Sequence, residues 1–262
     1  MHPLRAYPRP RPTGDERWQT ENKAVSRDIG NAVSTAANGS VFLGTEDVTA
    51  LDQGTGKEQW VGKYRKSTTT WGIATTGKRT VAIAAFDGEK GTLASFGLDG
   101  TRQWTTSIEV SNEPPRPTIA DGTAYVANGA GTLYAVALEN GAVQWKVTID
   151  DGVKTGIAVY DGTVFVPGGA DGTLRAIDAG DGTVRWTQHV GQAAAPGVVE
   201  KQLLVSGTDV SGPKSDAGVA VFDPATGEKR RTYAVNIAGP FAVGDGAIYV
   251  RHVDDSSLWT IR

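Results

Sequence analysis

Short runs of alternating apolar and polar residues recur along most of the 262-residue chain, each behind a tight-turn dipeptide. The dipeptide is Asp-Gly, Asn-Gly or a degraded form of that pair. Alternation with a period of two after such a turn is typical of a β-strand leaving a hairpin. The runs are NGSVFLG from Asn38, TGKRTVAIA from Thr76, DGTAYVA from Asp121, DGTVFVP from Asp161, KQLLVSG from Lys201 and DGAIYVR from Asp245.

Two further markers recur in step with these runs. Segments of the form LxAxD follow them, namely VTALD, LASFGLD, LYAVALE, LRAIDA, VAVFD and LWTIR. An aromatic residue comes next, at Trp18, Trp60, Trp104, Trp145, Trp186 and Tyr233, with separations of 42, 44, 41, 41 and 47 residues. Each unit therefore holds four short strands, one before the turn, one after it, one around LxAxD and one with the aromatic residue.

Four antiparallel strands in a repeated unit of about 40 residues predict an all-β fold, a single β-propeller whose closed ring protects the sheet edges. We predict six four-stranded antiparallel blades, with the N-terminal strand pairing with the C-terminal blade to close the ring. The alternative is a ring of seven or eight blades, some of them missing from this chain. The predicted blade cores are 31–64, 69–108, 116–149, 155–190, 193–235 and 238–262 together with 15–22.

Four segments carry a family resemblance. ALDQGTGKEQW (50–60), ALENGAVQW (137–145), AIDAGDGTVRW (176–186) and VFDPATGEKRRTY (221–233) resemble the tryptophan-docking repeat of quinoprotein-like, PQQ-binding-like propellers. The resemblance covers nearly the whole chain after residue 15. It implies that the six periodic aromatic residues are structural, each ring covering a turn of the adjoining blade while the indole N–H meets a backbone carbonyl.

Composition excludes several classes of function. A net charge of −3 provides no basic field for nucleic acid, and the absence of cysteine excludes disulfides, thiolate metal sites and cysteine nucleophiles. No stretch approaches the length of a membrane span. We expect a soluble, monomeric chain with a disordered tail or linker at residues 1–14, rich in proline and arginine, and a single propeller domain at residues 15–262.

The sequence offers no catalytic constellation. Its three histidines lack metal-ligand spacing, and its Asp-Gly runs do not match a calcium loop. Catalytic members of the resembled family hold pyrroloquinoline quinone (PQQ) with a stacking tryptophan, a vicinal disulfide and calcium, and this chain has no cysteine. We therefore predict no catalytic residue, no metal site and no cofactor, neither PQQ nor calcium. Asp121, Asp161, Asp178 and Asp245 are predicted to hold turns.

Propellers bind ligands where strand ends and loops converge on the central channel. Four of the six segments that lead into the inner strands contain no distinctive residues. Of the other two, STTTWG places Trp71 outside the docking register, and SNEPPRP adds Asn112, Glu113 and Arg116. With Asn31 and Lys154 these residues are predicted to form one polar and aromatic rim. Trp71 is the predicted binding anchor, with gap-filling as the alternative.

The resemblance implies a non-catalytic propeller that acts as a protein-interaction scaffold or a ligand-sensing domain. Non-enzymatic members of the family include outer-membrane assembly scaffolds and extracytoplasmic sensor regions of bacterial serine/threonine kinases. It also implies an extracytoplasmic or membrane-attached location, through a segment missing before Met1. Two alternatives stay open: a degenerate quinoprotein oxidoreductase, and a carbohydrate-binding propeller that uses Trp71 as its stacking platform.

Overall fold

The part of the chain that the structure describes consists of β-strands and short connections. The structure is a computed structural model, and it describes residues 18, 33–44, 46–64, 69–85, 90–109, 117–128, 130–149, 153, 155–167, 171–193, 196–210, 217–235, 241–244, 247–251 and 258–261. Within these ranges no helix is long and apolar enough to cross a membrane. The predicted tail at residues 1–14 lies outside them.

The strands form six sheets, numbered here as blades 1 to 6 in chain order. Blade 1 contains β1 (Val33–Ala37), β2 (Ser40–Gly44), β3 (Val48–Asp52) and β4 (Glu58–Gly62). Blade 2 contains β5 (Thr69–Thr75), β6 (Arg79–Ala85), β7 (Lys90–Gly97) and β8 (Arg102–Glu109). Blade 3 contains β9 (Thr118–Ala120), β10 (Thr123–Ala127), β11 (Thr132–Ala137) and β12 (Val143–Thr148).

Blades 4 to 6 continue the pattern. Blade 4 contains β13 (Ala158–Tyr160), β14 (Thr163–Pro167), β15 (Thr173–Asp178) and β16 (Val184–His189). Blade 5 contains β17 (Gly197–Val199), β18 (Gln202–Gly207), β19 (Gly218–Phe222) and β20 (Lys229–Ala234). Blade 6 has three described strands, β21 (Ala242–Gly244), β22 (Ala247–Arg251) and β23 (Leu258–Ile261). Neighbouring strands pair in chain order and antiparallel, so the all-β propeller class predicted from the sequence is confirmed.

In blades 1, 3 and 4 the first hairpin owes its tight turn to residues that tolerate positive φ. In blade 1, Ala37 pairs with Ser40 across Asn38 and Gly39, whose φ angles are 51° and 75°. Asp121 and Asp161 occupy the equivalent place in blades 3 and 4, each with φ 46° and a glycine after it. Two-residue turns with positive φ match the twist of the flanking strands, which explains the Asn-Gly and Asp-Gly markers of the sequence.

The core lies in the seams between consecutive blades. Phe42 and Val48 of blade 1 pack in one buried cluster with Ile73 and Phe96 of blade 2. Four further clusters join blades 2 and 3, 3 and 4, 4 and 5, and 5 and 6 in the same way. Each blade thus buries its apolar faces against its neighbours, as stacked sheets in a ring require.

Five tryptophans hold neighbouring blades together through the same contact. Each indole N–H donates to a backbone oxygen in the turn between the third and fourth strands of the next blade along the chain. The donor and acceptor residues are Trp18 and Gln53 at 2.9 Å, Trp60 and Leu98 at 2.7 Å, Trp104 and Leu138 at 2.9 Å, Trp145 and Ala179 at 3.0 Å, and Trp186 and Pro224 at 3.1 Å. Trp18 thus docks on blade 1 as Trp186 docks on blade 5.

A glycine with positive φ lies beneath each of these rings. A Cβ atom added at any of them would lie within 2.8 Å of the ring. The glycines are Gly56 under Trp18, Gly100 under Trp60, Gly141 under Trp104, Gly182 under Trp145 and Gly227 under Trp186. Each therefore serves two purposes, since it closes the turn and lets the indole lie flat on the backbone.

The docking position predicted at Tyr233 in blade 5 is corrected by the strand register. Where the fourth strand bulges, Trp60, Trp104, Trp145 and Trp186 pair with the residue just before the bulge on the third strand, as in Ala176 with Trp186. The equivalent residue of blade 5 is Val221, and its partner is Arg231. Tyr233 lies two residues farther along β20, which accounts for part of its longer spacing from Trp186.

Candidate interaction surface

The structure describes one of the six residues that are predicted to form a binding rim. Trp71 belongs to β5, the innermost strand of blade 2. Asn31, Asn112, Glu113, Arg116 and Lys154 lie outside the described residues. The rim as a constellation therefore stays a prediction, and the position of Trp71 on its strand can be stated.

The backbone of β5 bulges at Trp71. Thr70 pairs with Ala84 and Gly72 pairs with Ile83, so Trp71 is an extra residue without a cross-strand partner on β6. The described ladders between the first and second strands of the other five blades show no such shift. A bulge changes the direction in which a side chain leaves a strand, and bulges are frequent beside binding sites.

Strand β5 is also long for an inner strand. It has seven residues, whereas β9, β13, β17 and β21 have three each. It packs against β1 and β2 of blade 1 and against β9 of blade 3. Thr70, directly before the bulge, is 1% exposed, so the bulge sits on a well-packed strand.

A groove of about 460 Å³ lies between blades 2 and 3, where residues of β8, β11 and β12 line it. It is lined by Ser107, Ile108, Glu109, Tyr134, Val143 and Lys146. The backbone N–H of Glu109 donates to the Tyr134 hydroxyl at 3.4 Å, and Asn128 Nδ2 donates to the Glu109 carbonyl at 2.9 Å. Burial raises the pKa of Tyr134, so its hydroxyl stays protonated at neutral pH.

The carboxylate of Asp178 accepts hydrogen bonds within the turn between the third and fourth strands of blade 4. Asp178 Oδ1 accepts the N–H groups of Gly180 and Asp181, and its Oδ2 accepts from Arg185 Nη2 at 2.6 Å. The Arg185 side chain, followed by the Gly180 N–H, lowers the pKa of Asp178. Asp178 therefore holds its turn through its carboxylate, whereas Asp121 and Asp161 occupy their turns with a positive φ of 46°. Asp245 lies outside the described residues.

Among the residues that the structure describes, no three His, Cys, Asp or Glu side chains form a group that could hold a metal ion. His189 of blade 4 places its Nε2 3.5 Å from Asp209 Oδ2 of blade 5, on the surface between the two blades. Arg175 and Asp171, both of blade 4, form a partly buried pair at 2.5 Å. These contacts join neighbouring elements of the propeller.

Sequence reasoning missed the glycines under the indoles, although the sequence contains a signal for them. Gly56, Gly100, Gly141 and Gly182 each lie four residues before the tryptophan of their own blade. Gly227 lies four residues before Arg231, so the same spacing would have marked Arg231 as the docking position of blade 5. The bulge at Trp71 has no comparable signal, because a register slip inside TTTWG leaves the residue pattern unchanged.

Comparison with known proteins assigns the fold to a family. A sequence profile described as outer membrane protein assembly factor BamB matches residues 89–251. The BamB of Xanthomonas campestris is 28% identical, with 93% of this chain and 77% of that protein covered. The crystal structure of BamB from Moraxella catarrhalis superposes with a TM-score of 0.64 at 18% identity and covers 88% of this chain and 75% of that one.

A second kind of relative shares the repeats within a much longer protein. The serine/threonine-protein kinase AfsK of Streptomyces coelicolor is 28% identical over 213 residues, which is 77% of this chain and 24% of the kinase. This chain therefore spans about a quarter of the kinase's length. The profile match extends from blade 2 to blade 6 and contains the docking turns of blades 2 to 5. The chain belongs to the PQQ-like repeat propeller family described as outer membrane protein assembly factor BamB.

Proposed function

We propose that this chain is a non-catalytic propeller that binds other proteins and acts as an interaction scaffold. The observation that carries the proposal is the extent of the match to assembly factors. The BamB relatives of Xanthomonas campestris and Yersinia pestis align with 93% and 92% of this chain and are covered over 77% and 67% of their own length. The alignment thus includes nearly the whole propeller rather than one blade, and an assembly factor acts on other proteins.

The proposed contact surface is the end of the inner strands at which Trp71 lies. Tryptophan is among the residues that most often anchor protein interfaces. The bulge at Trp71 supports this assignment, because it departs from the ladder on a strand that is otherwise well packed. Asn31, Asn112, Glu113, Arg116 and Lys154 are proposed as the polar partners of Trp71 around the same rim.

The proposal includes no cofactor. The disulfide platform that holds the quinone in catalytic relatives cannot form, because the chain has no cysteine. Titration of the purified protein with PQQ, with and without calcium, should therefore leave the absorbance spectrum of the quinone and the melting temperature of the protein unchanged. Saturable binding of the quinone would instead favour a degenerate quinoprotein.

A photo-crosslinking experiment tests the contact surface. A photoreactive amino acid is placed at position 71 and, in a control protein, at the exposed outer-strand position Thr187. Both proteins are irradiated with envelope and soluble extracts of the source bacterium, and crosslinked proteins are identified by mass spectrometry. We expect a defined partner from position 71 and none from position 187.

The partner is then purified and its affinity is measured for the wild type, Trp71→Ala and Thr187→Ala. Loss of an anchor of about 2 kcal/mol corresponds to binding weakened by about thirtyfold for Trp71→Ala. Thr187→Ala should bind as the wild type does. A folded Trp71→Ala protein with unchanged affinity, or binding to a glycan array that Trp71→Ala abolishes, would overturn protein binding at this surface.

A second candidate, a ligand-sensing domain, is favoured by the kinase relatives. The AfsK proteins of Streptomyces coelicolor and Streptomyces griseus match this chain over 24% and 22% of their own length, so in them the repeats form part of a larger chain. A sensing domain of this kind would bind a small molecule. Thermal-shift screening with a metabolite library separates the two candidates, because a scaffold should show no saturable stabilisation.

A further inference from the structure

Three Asn-Gly pairs occur in the sequence, at 38–39, 128–129 and 140–141, and their surroundings differ. In such a pair the backbone nitrogen of glycine can attack the side-chain carbonyl carbon of asparagine, because glycine has no side chain in the way. We propose that Asn38 is a site of spontaneous deamidation, and that the same reaction is suppressed at Asn128 and Asn140. The proposal is independent of the function proposed above.

Asn38 combines exposure with a free nucleophile. Asn38 and Gly39 are both exposed at the tip of the hairpin between β1 and β2. The Gly39 N–H donates to no backbone acceptor among the described residues, and an added Cβ at Gly39 would meet no atom within 4 Å. The attacking nitrogen is therefore accessible, and there is space around it for the ring that forms.

Asn140 is itself exposed, but the nitrogen that would attack it is not free. The Gly141 N–H donates to the Ala137 carbonyl at 2.9 Å, and Gly141 is buried beneath the indole of Trp104. The Asn140 side chain is also held, since its Oδ1 accepts the Ala142 N–H at 2.9 Å. Attack at this pair requires the turn hydrogen bond to break and the indole to lift.

Asn128 is fixed by burial. Its side chain is 0% exposed, its Oδ1 accepts the Thr132 N–H at 2.7 Å and its Nδ2 donates to the Glu109 carbonyl. A buried amide with both ends in hydrogen bonds cannot rotate toward the following nitrogen without losing them.

The reaction balances with water as the single co-reactant. The Gly39 nitrogen bonds to Asn38 Cγ, its proton is transferred and Nδ2 leaves as ammonia, which gives a five-membered succinimide. Water then opens the ring at either carbonyl. Opening at one carbonyl gives aspartate, and opening at the other gives isoaspartate, in which the main chain continues through the former side chain.

Deamidation at this position changes a contact between blades. Asn38 Nδ2 donates to the Gly77 carbonyl of blade 2 at 2.7 Å, and an aspartate has no N–H with which to replace it. Aspartate itself fits the turn, because Asp121 and Asp161 occupy the equivalent place with similar φ. The expected result is a folded chain with a weaker seam between blades 1 and 2, next to β5.

Incubation of the full chain at mildly alkaline pH, followed by peptide mapping with mass spectrometry, measures all three sites in one sample. We expect aspartate and isoaspartate at position 38 to accumulate at least about tenfold faster than at position 140 or 128. At position 38 only the bond from Asn38 Nδ2 to the Gly77 carbonyl has to break, whereas the attacking nitrogen is itself hydrogen-bonded at position 140 and both ends of the buried amide are held at position 128. Equal rates in the three peptides, or faster conversion at position 140, would overturn the proposal.

Two variants test the consequence for the fold. Asn38→Asp and Asn140→Asp add the same charge to exposed turns, but Asn38→Asp alone removes a donor to a neighbouring blade. We expect the melting temperature to fall more for Asn38→Asp, by a few degrees. An Asn38→Asp protein that melts at or above the temperature of Asn140→Asp would show that the contact with Gly77 does not stabilise the seam.

Discussion

The six-membered ring of Trp145 lies directly over Gly182 of the next blade, where an added Cβ would come within 2.8 Å of the indole Cε3 atom. The indole N–H meanwhile donates to the Ala179 carbonyl in the same turn. Ring and turn are thus matched in shape and in hydrogen bonding. The match depends on the absence of a side chain at residue 182 as much as on the presence of tryptophan at residue 145.

Gly182→Ala should therefore lower the free energy of unfolding by more than backbone strain alone would. Gly182 has φ 78°, and a non-glycine residue there costs about 1–2 kcal/mol. Displacement of the indole should add about 1–3 kcal/mol. Gly122→Ala is the matched control, since Gly122 has φ 75° but nothing within 4 Å of the added atom. Urea unfolding checks both variants, and equal losses would show that the ring moves aside without cost.

The fold could be predicted from the sequence because the residues that mark each blade repeat at a regular spacing. The docking tryptophans, Trp60 and Trp145 among them, recur at intervals of 41 to 44 residues, and the turn markers recur in step with them. A chance pattern in one blade would not repeat at this spacing in the others.

It is harder to predict which residue of a bulged strand takes a given position in the ladder. The docking position of blade 5 was wrongly predicted at Tyr233 because the prediction followed the aromatic residue. The spacing from Gly227 and the strand register both mark Arg231. The bulge at Trp71 depends on how β5 packs between blades, which residue types alone do not specify.

Trp186 is expected to stabilise blade 5 through both its ring and its N–H. The ring lies over Gly227 with its centroid 5.8 Å from that of Phe165, and the N–H donates to the Pro224 carbonyl. Trp186→Ala should lower the free energy of unfolding by about 3–5 kcal/mol. Trp186→Phe keeps part of the ring contact and loses the hydrogen bond, so it should cost about 1–2 kcal/mol.

The control for Trp186 is Val184→Ala on the same strand. Val184 is 51% exposed, so its truncation should change the free energy of unfolding by less than about 0.5 kcal/mol. Denaturant titration of the three variants gives the order directly. A Trp186→Ala protein as stable as Val184→Ala would show that the indole does not hold the two blades together.

Arg231 should contribute much less than the tryptophans whose position it occupies. It is exposed, its Nη1 donates to the Tyr233 hydroxyl at 3.0 Å and its guanidinium carbon lies 5.8 Å from the Tyr233 ring centroid. Exposed contacts of this kind stabilise weakly. We expect Arg231→Ala to shift the melting temperature far less than Trp186→Ala does. A comparable shift would mean that the arginine docks on blade 6 as an indole would.

Acid should weaken the turn that Asp178 holds. The Arg185 side chain lowers the pKa of Asp178 from its ordinary value of 3.8, so the folded chain keeps this carboxylate charged at a pH where the unfolded chain protonates it. The resulting stability is present above about pH 4 and is lost as the pH falls through the lowered pKa.

Asp178→Asn tests this pH dependence. The difference in melting temperature between the wild type and Asp178→Asn should be largest above about pH 4 and should shrink as the pH approaches 2. Arg185→Gln, which removes the main cause of the lowered pKa, should flatten the same acid-dependent loss. A difference that stays constant from pH 6 to pH 2 would rule out the carboxylate charge as its source.

The buried hydroxyl of Tyr64 makes no hydrogen bond of normal geometry among the described residues. The nearby Thr70 side chain offsets only part of the rise in the Tyr64 pKa that burial causes. The Tyr64 side chain is 8% exposed in the seam between blades 1 and 2, and its ring meets Phe96 edge-on with 5.8 Å between centroids. A buried hydroxyl without a partner costs free energy, because it has given up its hydrogen bonds to water. Tyr64→Phe keeps the ring contact and removes that cost, so the free energy of unfolding should stay the same or rise by about 1 kcal/mol.

Tyr125→Phe is the control for Tyr64→Phe, because the Tyr125 hydroxyl donates to the Ala179 carbonyl at 3.3 Å and its removal should cost about 1 kcal/mol.

Burial raises the pKa of Tyr64 above its ordinary value of 10, so the folded chain retains a proton that the unfolded chain releases in alkali. The wild type should therefore lose stability as the pH rises above 10, and Tyr64→Phe should lose less. Urea unfolding at pH 7 and in alkali measures both effects. A Tyr64→Phe protein less stable than Tyr125→Phe at neutral pH would mean that the Tyr64 hydroxyl has a stabilising partner in the seam.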